Sequence, residues 1–428
     1  PDGVRQLREL ARCHPATLLP PAAAGGCFRA TREEFKGQNS PGFGPILVPT
    51  PLLDELTHNR HHWTFIVESF WQDSAPMSHR YVEVRERVMQ LLLSTGGGAA
   101  TETLLALGAD KRDLTRMCEE GVLTRVTRGL YALDHAAGDD LWQQQRSEHL
   151  RHATAICDAG VATVALRSAA LARTLPVSRI PDRPEVMRPP GSAVLLGART
   201  LRRALAPSDV QLVRGVPVTS IARTAVDVAL DLPTPEALIT VDAALRRGAT
   251  EGAMSAILTS LGGVRGCRAA RLTLELADPH AESALESRGR GELLVRGAPR
   301  PLCNVSFRIG ETEFRVDHWW PEIPLVGEAD GVLKYSGDQL REALWQEKLR
   351  QEWFEDTLGL TVFRYCDREV RLAPDALLAR FRRRAEHARS RLWTPPAHLE
   401  IFQRPPPGSN APVRWLGPRG ELKGQESA

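Results

Sequence analysis

Acidic residues and one lysine are concentrated where two predicted strands end, between residues 314 and 335. The first of these strands alternates apolar and charged residues, as a half-buried strand does, and reaches Asp317. In the second strand Glu328 and Asp330 share one face, because successive side chains alternate in direction. An Asp-Gly turn then ends this strand and Lys334 follows it.

These residue types are the ones that hydrolysis of a phosphodiester requires. Magnesium prefers oxygen ligands, usually one or two carboxylates together with water and substrate phosphate. The ion polarises the phosphoryl oxygen, and a nearby lysine can neutralise the charge that develops there. An edge hairpin with solvated charges and an ordinary Asp-Gly turn explains the same pattern, so both interpretations remain open.

The segments on either side of these strands are predicted to be helical. Residues 279–294 predict a helix with Glu282 and Glu286 one turn apart on one face. Residues 339–358 predict a long amphipathic helix, and a strand follows at 361–365. This order of elements predicts a mixed sheet flanked by helices.

A series of residues in this segment matches a known pattern. The matching positions are Glu282, Asp317, Glu328, Asp330, Gly331, Lys334, Tyr335, Glu347, Lys348, Arg350 and Val362–Arg364. The series resembles the PD-(D/E)XK nuclease superfamily, and within it the branch similar to very-short-patch-repair endonucleases.

The resemblance implies a site that binds Mg²⁺ or Mn²⁺ through Glu282, Asp317 and Glu328. Asp330 would adjust the metal or the water and Lys334 would stabilise charge at phosphorus. Around them, the remaining predicted members are the reserve ligand Glu286 and two supporting residues of the following helix, Glu347 and Arg350.

Two departures from the family pattern bear on activity. The usual acid-x-lysine motif is Glu328-Ala329-Asp330, so the lysine is absent from its standard position. Either Lys334 substitutes for it from beyond the turn, or the site is inactive. Relatives often carry a glutamine at the start of the first core strand, where this chain has Asn304.

Composition indicates a globular protein of 428 residues with 42% hydrophobic and 25% charged residues, a length typical of about two to three domains. The net charge of +3 favours nucleic acid only through local basic surfaces. Seven cysteines without a C-x-x-C pair argue against structural zinc and a disulfide framework, and predict the reducing cytoplasm. No run approaches the ~20 apolar residues that span a bilayer, so no membrane partner is predicted.

The first 76 residues are predicted to be disordered or an upstream extension. Prolines and glycines interrupt every candidate element there, and a regular pattern begins only after Met77, which we expect to lie near the true start. The histidines at 58, 61 and 62 have no carboxylate or cysteine at ligand spacing, so they predict a solvated loop.

Residues 80–135 predict a winged helix-turn-helix. Three helices, the third beginning at Asp110, precede two short strands joined through residues 127–129. The cations expected to contact DNA are Lys111, Arg112 and Arg116 on the third helix and Arg125 and Arg128 on the wing. The alternative is a winged helix that makes protein contacts, since Asp113, Glu119 and Glu120 dilute the basic face.

Two motifs carry a second resemblance. The wing pattern Gly121-x-Leu123-x-Arg125-x-x-Arg128-Gly129-x-Tyr131 is similar to the N-terminal domain of AbiEi-type antitoxins. The signature at 218–227, together with 167–170 and 242–245, is similar to their middle domain, which predicts an α+β domain over residues 140–275. Arg223 and Asp227 lie one turn apart within that signature, and an intrahelical ion pair is their expected role.

The three blocks together predict an α/β multidomain protein. A winged helix, an antitoxin-like middle domain and a PD-(D/E)XK-like domain over residues 278–392 precede a disordered tail at 393–428. The first functional hypothesis is a defence-associated DNA-binding protein with a metal-dependent nuclease domain. The alternative is an antitoxin or transcriptional repressor with an inactive nuclease fold, whose protein partner would be a toxin, commonly a nucleotidyltransferase in this family.

Overall fold

The computed structural model describes residues 78–134, 140–160, 162–331 and 338–423. The predictions for residues 1–76, for Met77 and for Lys334 lie outside these ranges. No helix in the described part is long and apolar enough to traverse a lipid bilayer.

The first part of the chain folds as three helices and a three-stranded antiparallel sheet of order β1-β3-β2. Its elements are α1 (His79–Ser94), β1 (Gly98–Ala100), α2 (Thr101–Ala106), α3 (Lys111–Glu119), β2 (Leu123–Thr127) and β3 (Leu130–Leu133). One face of α1 is apolar, and its residues Val84, Val88 and Leu92 are buried in one core. The strand β1 was not predicted, because three small residues carry no periodicity.

The middle part combines a five-stranded mixed sheet, of order β6-β5-β4-β8-β7, with a helical layer. Its elements are α4 (Leu141–Asp158), β4 (Thr163–Val164), α5 (Leu166–Ala172), β5 (Glu185–Arg188), β6 (Arg199–Arg202), β7 (Val210–Val213), β8 (Val216–Thr219), α6 (Ile221–Asp231), α7 (Thr234–Arg246), α8 (Glu251–Ser260) and α9 (Cys267–Leu276). Small residues of α5, α6 and α7 form its largest buried core.

The C-terminal part is a six-stranded sheet of order β12-β11-β10-β9-β13-β14 with helices on its faces. Its elements are α10 (Ala284–Val295), β9 (Leu302–Ile309), β10 (Thr312–Trp320), β11 (Leu325–Asp330), α11 (Asp338–Glu352), a wide π-helical turn (Trp353–Thr357), β12 (Thr361–Cys366), α12 (Asp367–Leu372), α13 (Pro374–Arg389), β13 (Glu400–Gln403) and β14 (Arg414–Leu416). Only β11 and β12 pair in parallel, so the sheet is mixed, as predicted.

Two expectations about this part are corrected. The segment 393–428 is not wholly disordered, because β13 pairs with β9 and buries Ile401 and Phe402. Its partner strand lies about a hundred residues upstream, a distance that the local proline-rich composition does not reveal. The second correction concerns Glu282, which precedes α10, because Ser283 is the N-terminal cap of that helix.

The helix α10 joins the middle and C-terminal parts by packing closely on both. A Cβ added at Gly289 would lie 2.2 Å from the Tyr365 ring, and one at Gly291 would lie 2.8 Å from the Pro235 backbone. Between these glycines, Arg290 donates to Asp242 of α7 at 2.7 Å, with both side chains fully buried. Glycine is therefore required at both positions for the approach of the neighbouring elements.

Candidate functional site

A capping box fixes the start of α3 and exposes two cations there. The Asp110 carboxylate accepts the backbone N–H groups of Arg112 and Asp113 at 2.7 and 2.8 Å, and Asp113 accepts the N–H of Asp110 at 2.9 Å. Hydrogen bonding from the Asp113 backbone lowers the pKa of Asp110. Lys111 and Arg112 are exposed in the first turn, and their side chains make no hydrogen bond or ion pair with the described residues.

The β2–β3 hairpin exposes two further cations. Arg125 and Arg128 have no side-chain partner within the described part of the chain. Strand register shifts between Arg125 and Thr127, which bends the hairpin, and Gly129 at its tip has a φ of 86°. The Gly129 carbonyl accepts the Thr101 N–H at 2.8 Å, so the tip is anchored to the start of α2.

Arg116 differs from the other four predicted DNA contacts. Its guanidinium lies 4.3 Å from the Tyr81 ring centroid and pairs with Glu120 at 2.9 Å. The same glutamate accepts the Tyr81 hydroxyl at 2.7 Å. Arg116 is thus part of a contact between α1 and α3, and a DNA contact would compete with that role.

Three carboxylates converge at one end of β10 and β11, and we call them the acidic cluster: Glu286, Asp317 and Glu328. The antiparallel register pairs His318 with Gly327, which places Asp317 opposite Glu328. Asp317 accepts the Ala329 N–H at 2.7 Å. The two predicted strand carboxylates are therefore brought together at the same place on the sheet.

Burial and mutual repulsion raise the pKa values of two carboxylates of the acidic cluster, Asp317 and Glu328. Burial, and then the charge of Glu286, raises the pKa of Asp317 to about 7. Burial also raises the pKa of Glu328 well above its usual range, against the opposing effect of Arg350. A desolvated site with excess negative charge favours protons or cations.

Two acidic residues of β11 that were predicted to belong to the metal site, Glu328 and Asp330, form ion pairs with arginines. Arg350 donates to Glu328 at 2.7 Å, so this residue does approach the site as predicted, but as an ion-pair partner. Arg364 donates to Asp330 at 2.9 Å and contacts Glu347 as well. Asp330 and Glu347 are therefore held by one arginine from β12.

Glu282, the predicted helix ligand, lies outside the acidic cluster. It forms a two-point ion pair with Arg315, with both distances 2.9 Å, at the protein surface. Glu286 stands in the cluster instead, accepting the Glu282 N–H and the Asn304 side-chain amide at 2.8 Å each. Glu286 thus takes the place predicted for Glu282, because the helix begins at Ala284, five residues later than the sequence suggested.

The residues present do not fit a divalent cation in this arrangement. No group of three or more His, Cys, Asp or Glu side chains among the described residues is placed to hold a metal ion. Oxygens of Glu286 and Glu328 already accept hydrogen bonds from an amide and from Arg350. Metal binding by Asp317 and Glu328 would require Arg350 to move away.

Asn304 has a structural role that the sequence did not reveal. Its φ is 52°, in the left-handed region that asparagine tolerates better than most residues. It lies beside an irregularity in β10. Residues two apart in a strand normally face the same side of the sheet, but Val316 packs in one apolar layer while His318 contacts Tyr365 of the other layer at 2.7 Å. Asp317 lies at this irregularity and accepts the Ala329 N–H of the neighbouring strand. An asparagine in an apolar strand was the available signal.

The middle part confirms the intrahelical ion pair. Arg223 donates to Asp227 at 3.0 Å and to Asp209 at 2.7 Å, and all three residues are buried. Burial raises the pKa of Asp227 to about 6. These side chains neutralise one another within the fold, and the contact with Asp209 connects α6 to the turn before β7.

Comparison with known protein families identifies two segments of the chain. Residues 86–133 match the family model described as "Transcriptional regulator, AbiEi antitoxin". Residues 163–276 match the model described as "AbiEi antitoxin C-terminal domain". Two segments of the chain are thus similar to AbiEi antitoxin domains. The resemblance predicted for residues 80–135 and 140–275 is therefore confirmed, whereas neither match extends to the C-terminal sheet.

Among curated proteins, the chain is 36% identical over 185 residues to two uncharacterized proteins of Mycobacterium tuberculosis, MT2308 and Rv2248. The alignment covers 42% of this chain and 66% of each relative. Among solved structures, the RV2827C protein of the same organism aligns with 52% of this chain and 83% of its own, at 18% identity. Its TM-score is 0.29.

Proposed function

We propose that the protein is a DNA-binding transcriptional regulator of the antitoxin type. The observation that carries this proposal is the set of four exposed, unpaired cations on α3 and the β2–β3 hairpin: Lys111, Arg112, Arg125 and Arg128. They lie within the segment that matches a transcriptional-regulator family model.

In this proposal α3 is the recognition helix and the β2–β3 hairpin is the wing. The capping box exposes Lys111 and Arg112 at the helix N-terminus, the end from which such helices contact base edges and phosphates. Arg125 and Arg128 would contact the backbone beside the groove. Free cations suit this role, because no intramolecular ion pair has to be broken before binding.

Binding to the DNA upstream of the protein's own gene tests the proposal. Wild type, Arg112→Ala and Arg128→Ala are compared by fluorescence anisotropy with Arg271→Ala, which removes an equally exposed arginine from α9. Each substitution in the DNA-binding segment is expected to weaken binding about tenfold, the size of one charge-assisted hydrogen bond. Equal affinities for all four proteins, or no binding by wild type, would contradict it.

We further propose a toxin as the protein partner, since both family models describe antitoxins. Co-expression with the protein encoded beside it should yield a stable complex on affinity purification. A neighbouring protein that elutes separately at micromolar concentration would exclude it as the partner.

A second candidate function is hydrolysis of phosphodiesters with Mg²⁺ or Mn²⁺. The observation in its favour is the acidic cluster, with Asp317 and Glu328 opposed across two strands and Glu286 beside them. Against it stand the Arg350–Glu328 ion pair and the absent motif lysine. We favour the regulator, because DNA binding by the free cations requires no ion pair to be broken, whereas metal binding requires Arg350 to leave Glu328.

Nicking of supercoiled plasmid distinguishes the two candidates. A nuclease would nick in the presence of either metal, and Asp317→Asn would abolish the activity. If wild type and variant are equally inactive on DNA and RNA while both bind the upstream fragment, the C-terminal domain is not a nuclease.

A further inference from the structure

A cleft of about 860 Å³ lies between the end of α7 and the proline-rich segment that links β13 to β14. One wall is formed by residues 245–249 and 251 and the other by residues 405–409, 411 and 412, with Pro279, His280 and Arg414 completing the lining. The two walls thus come from the middle and the C-terminal parts of the chain. The volume is in the range typical of small-molecule sites.

Positive charge dominates this cleft. Arg246, Arg247 and Arg414 line it, against Glu251 as the acidic residue of the lining. Arg247 donates to the Thr174 hydroxyl and Arg414 donates to the Gln403 amide oxygen at 3.1 Å, both neutral acceptors. Their charges are therefore not neutralised by these contacts.

Arg246 is the least satisfied of the three. It forms no ion pair with the described residues, and its Nη1 atom is buried without a hydrogen-bond partner. Burial lowers the pKa of Arg246, against the opposing charges of Asp242, Glu286 and Glu282, none of which forms an ion pair with it among the described residues. A guanidinium that is partly desolvated and unpaired gains free energy from an incoming anion.

The other wall carries three consecutive prolines. Pro405, Pro406 and Pro407 line it in succession, and Leu245 lies across the cleft. Proline rings fix the backbone, so this wall loses little conformational entropy when a flat group packs on it. An arginine cluster beside such a wall suits a ligand that has a phosphate at one end and an aromatic ring at the other.

We propose that this cleft binds a mononucleotide, with its phosphate at Arg246, Arg247 and Arg414 and its base against the proline wall. Arginine matches phosphate oxygens with two parallel hydrogen bonds, which a point charge does not provide. This site is separate from the cations of α3 and the hairpin, so it goes beyond DNA binding. Because both walls contribute, the bound nucleotide links residues 245–249 to residues 405–414.

Calorimetric titration of the full chain with the four ribonucleoside 5′-monophosphates tests the proposal. Inorganic phosphate, the four nucleosides and a short single-stranded oligonucleotide serve as comparison ligands. At least one monophosphate should bind at one site per chain, at least tenfold more tightly than phosphate or its own nucleoside. Arg246→Gln and Arg414→Gln should each weaken this binding about tenfold. Arg271→Gln, an exposed arginine outside the cleft, should bind as wild type does.

The melting temperature without ligand shows whether each variant folds. If Arg246→Gln does not fold, Arg414→Gln serves as the test variant, because Arg414 is exposed. No binding of any monophosphate at millimolar concentration overturns the proposal. Phosphate that binds as tightly as the nucleotide would reduce the cleft to a simple anion site and overturn it too. Binding of the oligonucleotide without competition from monophosphates, or binding unaffected by Arg414→Gln, would place the ligand elsewhere.

Discussion

Asp317 is a carboxylate confined between a neighbouring acid and a backbone amide. It accepts the Ala329 N–H, faces Glu328 across the strands and is exposed to the charge of Glu286. Burial leaves little water to offset that repulsion, so the pKa of Asp317 rises to about 7. The residue types and Arg350 were predicted from the sequence. The ion pairs Arg350–Glu328 and Arg364–Asp330 were not, since they join segments that only the tertiary fold brings together.

Replacing Asp317 with asparagine should change how stability depends on pH. The pKa rises from 3.8 in the unfolded chain to about 7 in the fold, so the folded state binds more protons in this window and stability falls as pH rises through it. Asparagine keeps the acceptor for Ala329 but never ionises. We expect the variant to gain up to about 4 kcal/mol relative to wild type between pH 4 and pH 8.

Chemical denaturation of both proteins at several pH values measures this gain. Glu311→Gln, at an exposed position of the β9–β10 turn, is the control and should show no such trend. A stability difference between Asp317→Asn and wild type that stays constant from pH 4 to pH 8 would show that Asp317 ionises normally in the fold.

At the scale of elements, α10 packs between the middle part and the C-terminal sheet. It carries Glu286 to the acidic cluster and is placed by two glycines that allow close contact on opposite sides. Helix and strand periods predicted most of the elements here, and the capping residue Asp110 fixed the start of α3 correctly. The start of α10 was misplaced. Its cap, Ser283, acts through a local hydrogen bond, and the sequence alone does not show which polar residue makes that bond.

Gly289→Ala should destabilise the protein by about 1–3 kcal/mol, the typical cost of overpacking. The added methyl would lie 2.2 Å from the buried Tyr365 ring, which forms part of a filled core. Gly252→Ala is the matched control in α8, where a methyl group meets nothing within 4 Å. That variant should be unchanged or more stable, by up to about 1 kcal/mol, because alanine favours helix. Equal stability of the two variants in urea would refute the close packing of α10.

On the scale of the whole molecule, a buried ion pair connects the antitoxin-like middle part to the helix α10 of the C-terminal part. Asp242 of α7 accepts from Arg290 at 2.7 Å and also accepts the Asp278 N–H at 2.9 Å. The sequence motif at 242–245 indicated the middle domain but not this contact, because pairing between residues 48 positions apart depends on the tertiary fold. The pairing of β13 with β9 could not be predicted for the same reason, since the two strands are far apart in the sequence.

Asp242→Ala should cost about 3–5 kcal/mol, because it leaves the Arg290 charge buried and unpaired. The double substitution Asp242→Leu with Arg290→Met removes both charges and should recover most of that loss. Thermal and urea unfolding provide the comparison. If the single variant loses less than about 1 kcal/mol, or the double variant is no more stable than the single one, the pair does not hold the two parts together.

The salt dependence of DNA binding tests the central claim, that the first part of the chain contacts DNA through unpaired cations. Affinity for the upstream fragment is measured over a range of salt concentrations for wild type, the double variant Arg112→Ala/Arg128→Ala, and the control Arg271→Ala. Each lost phosphate contact should reduce the slope of log affinity against log salt by about 0.9. We predict a slope about 1.8 smaller for the double variant and an unchanged slope for the control. Identical slopes for all three proteins would contradict the account.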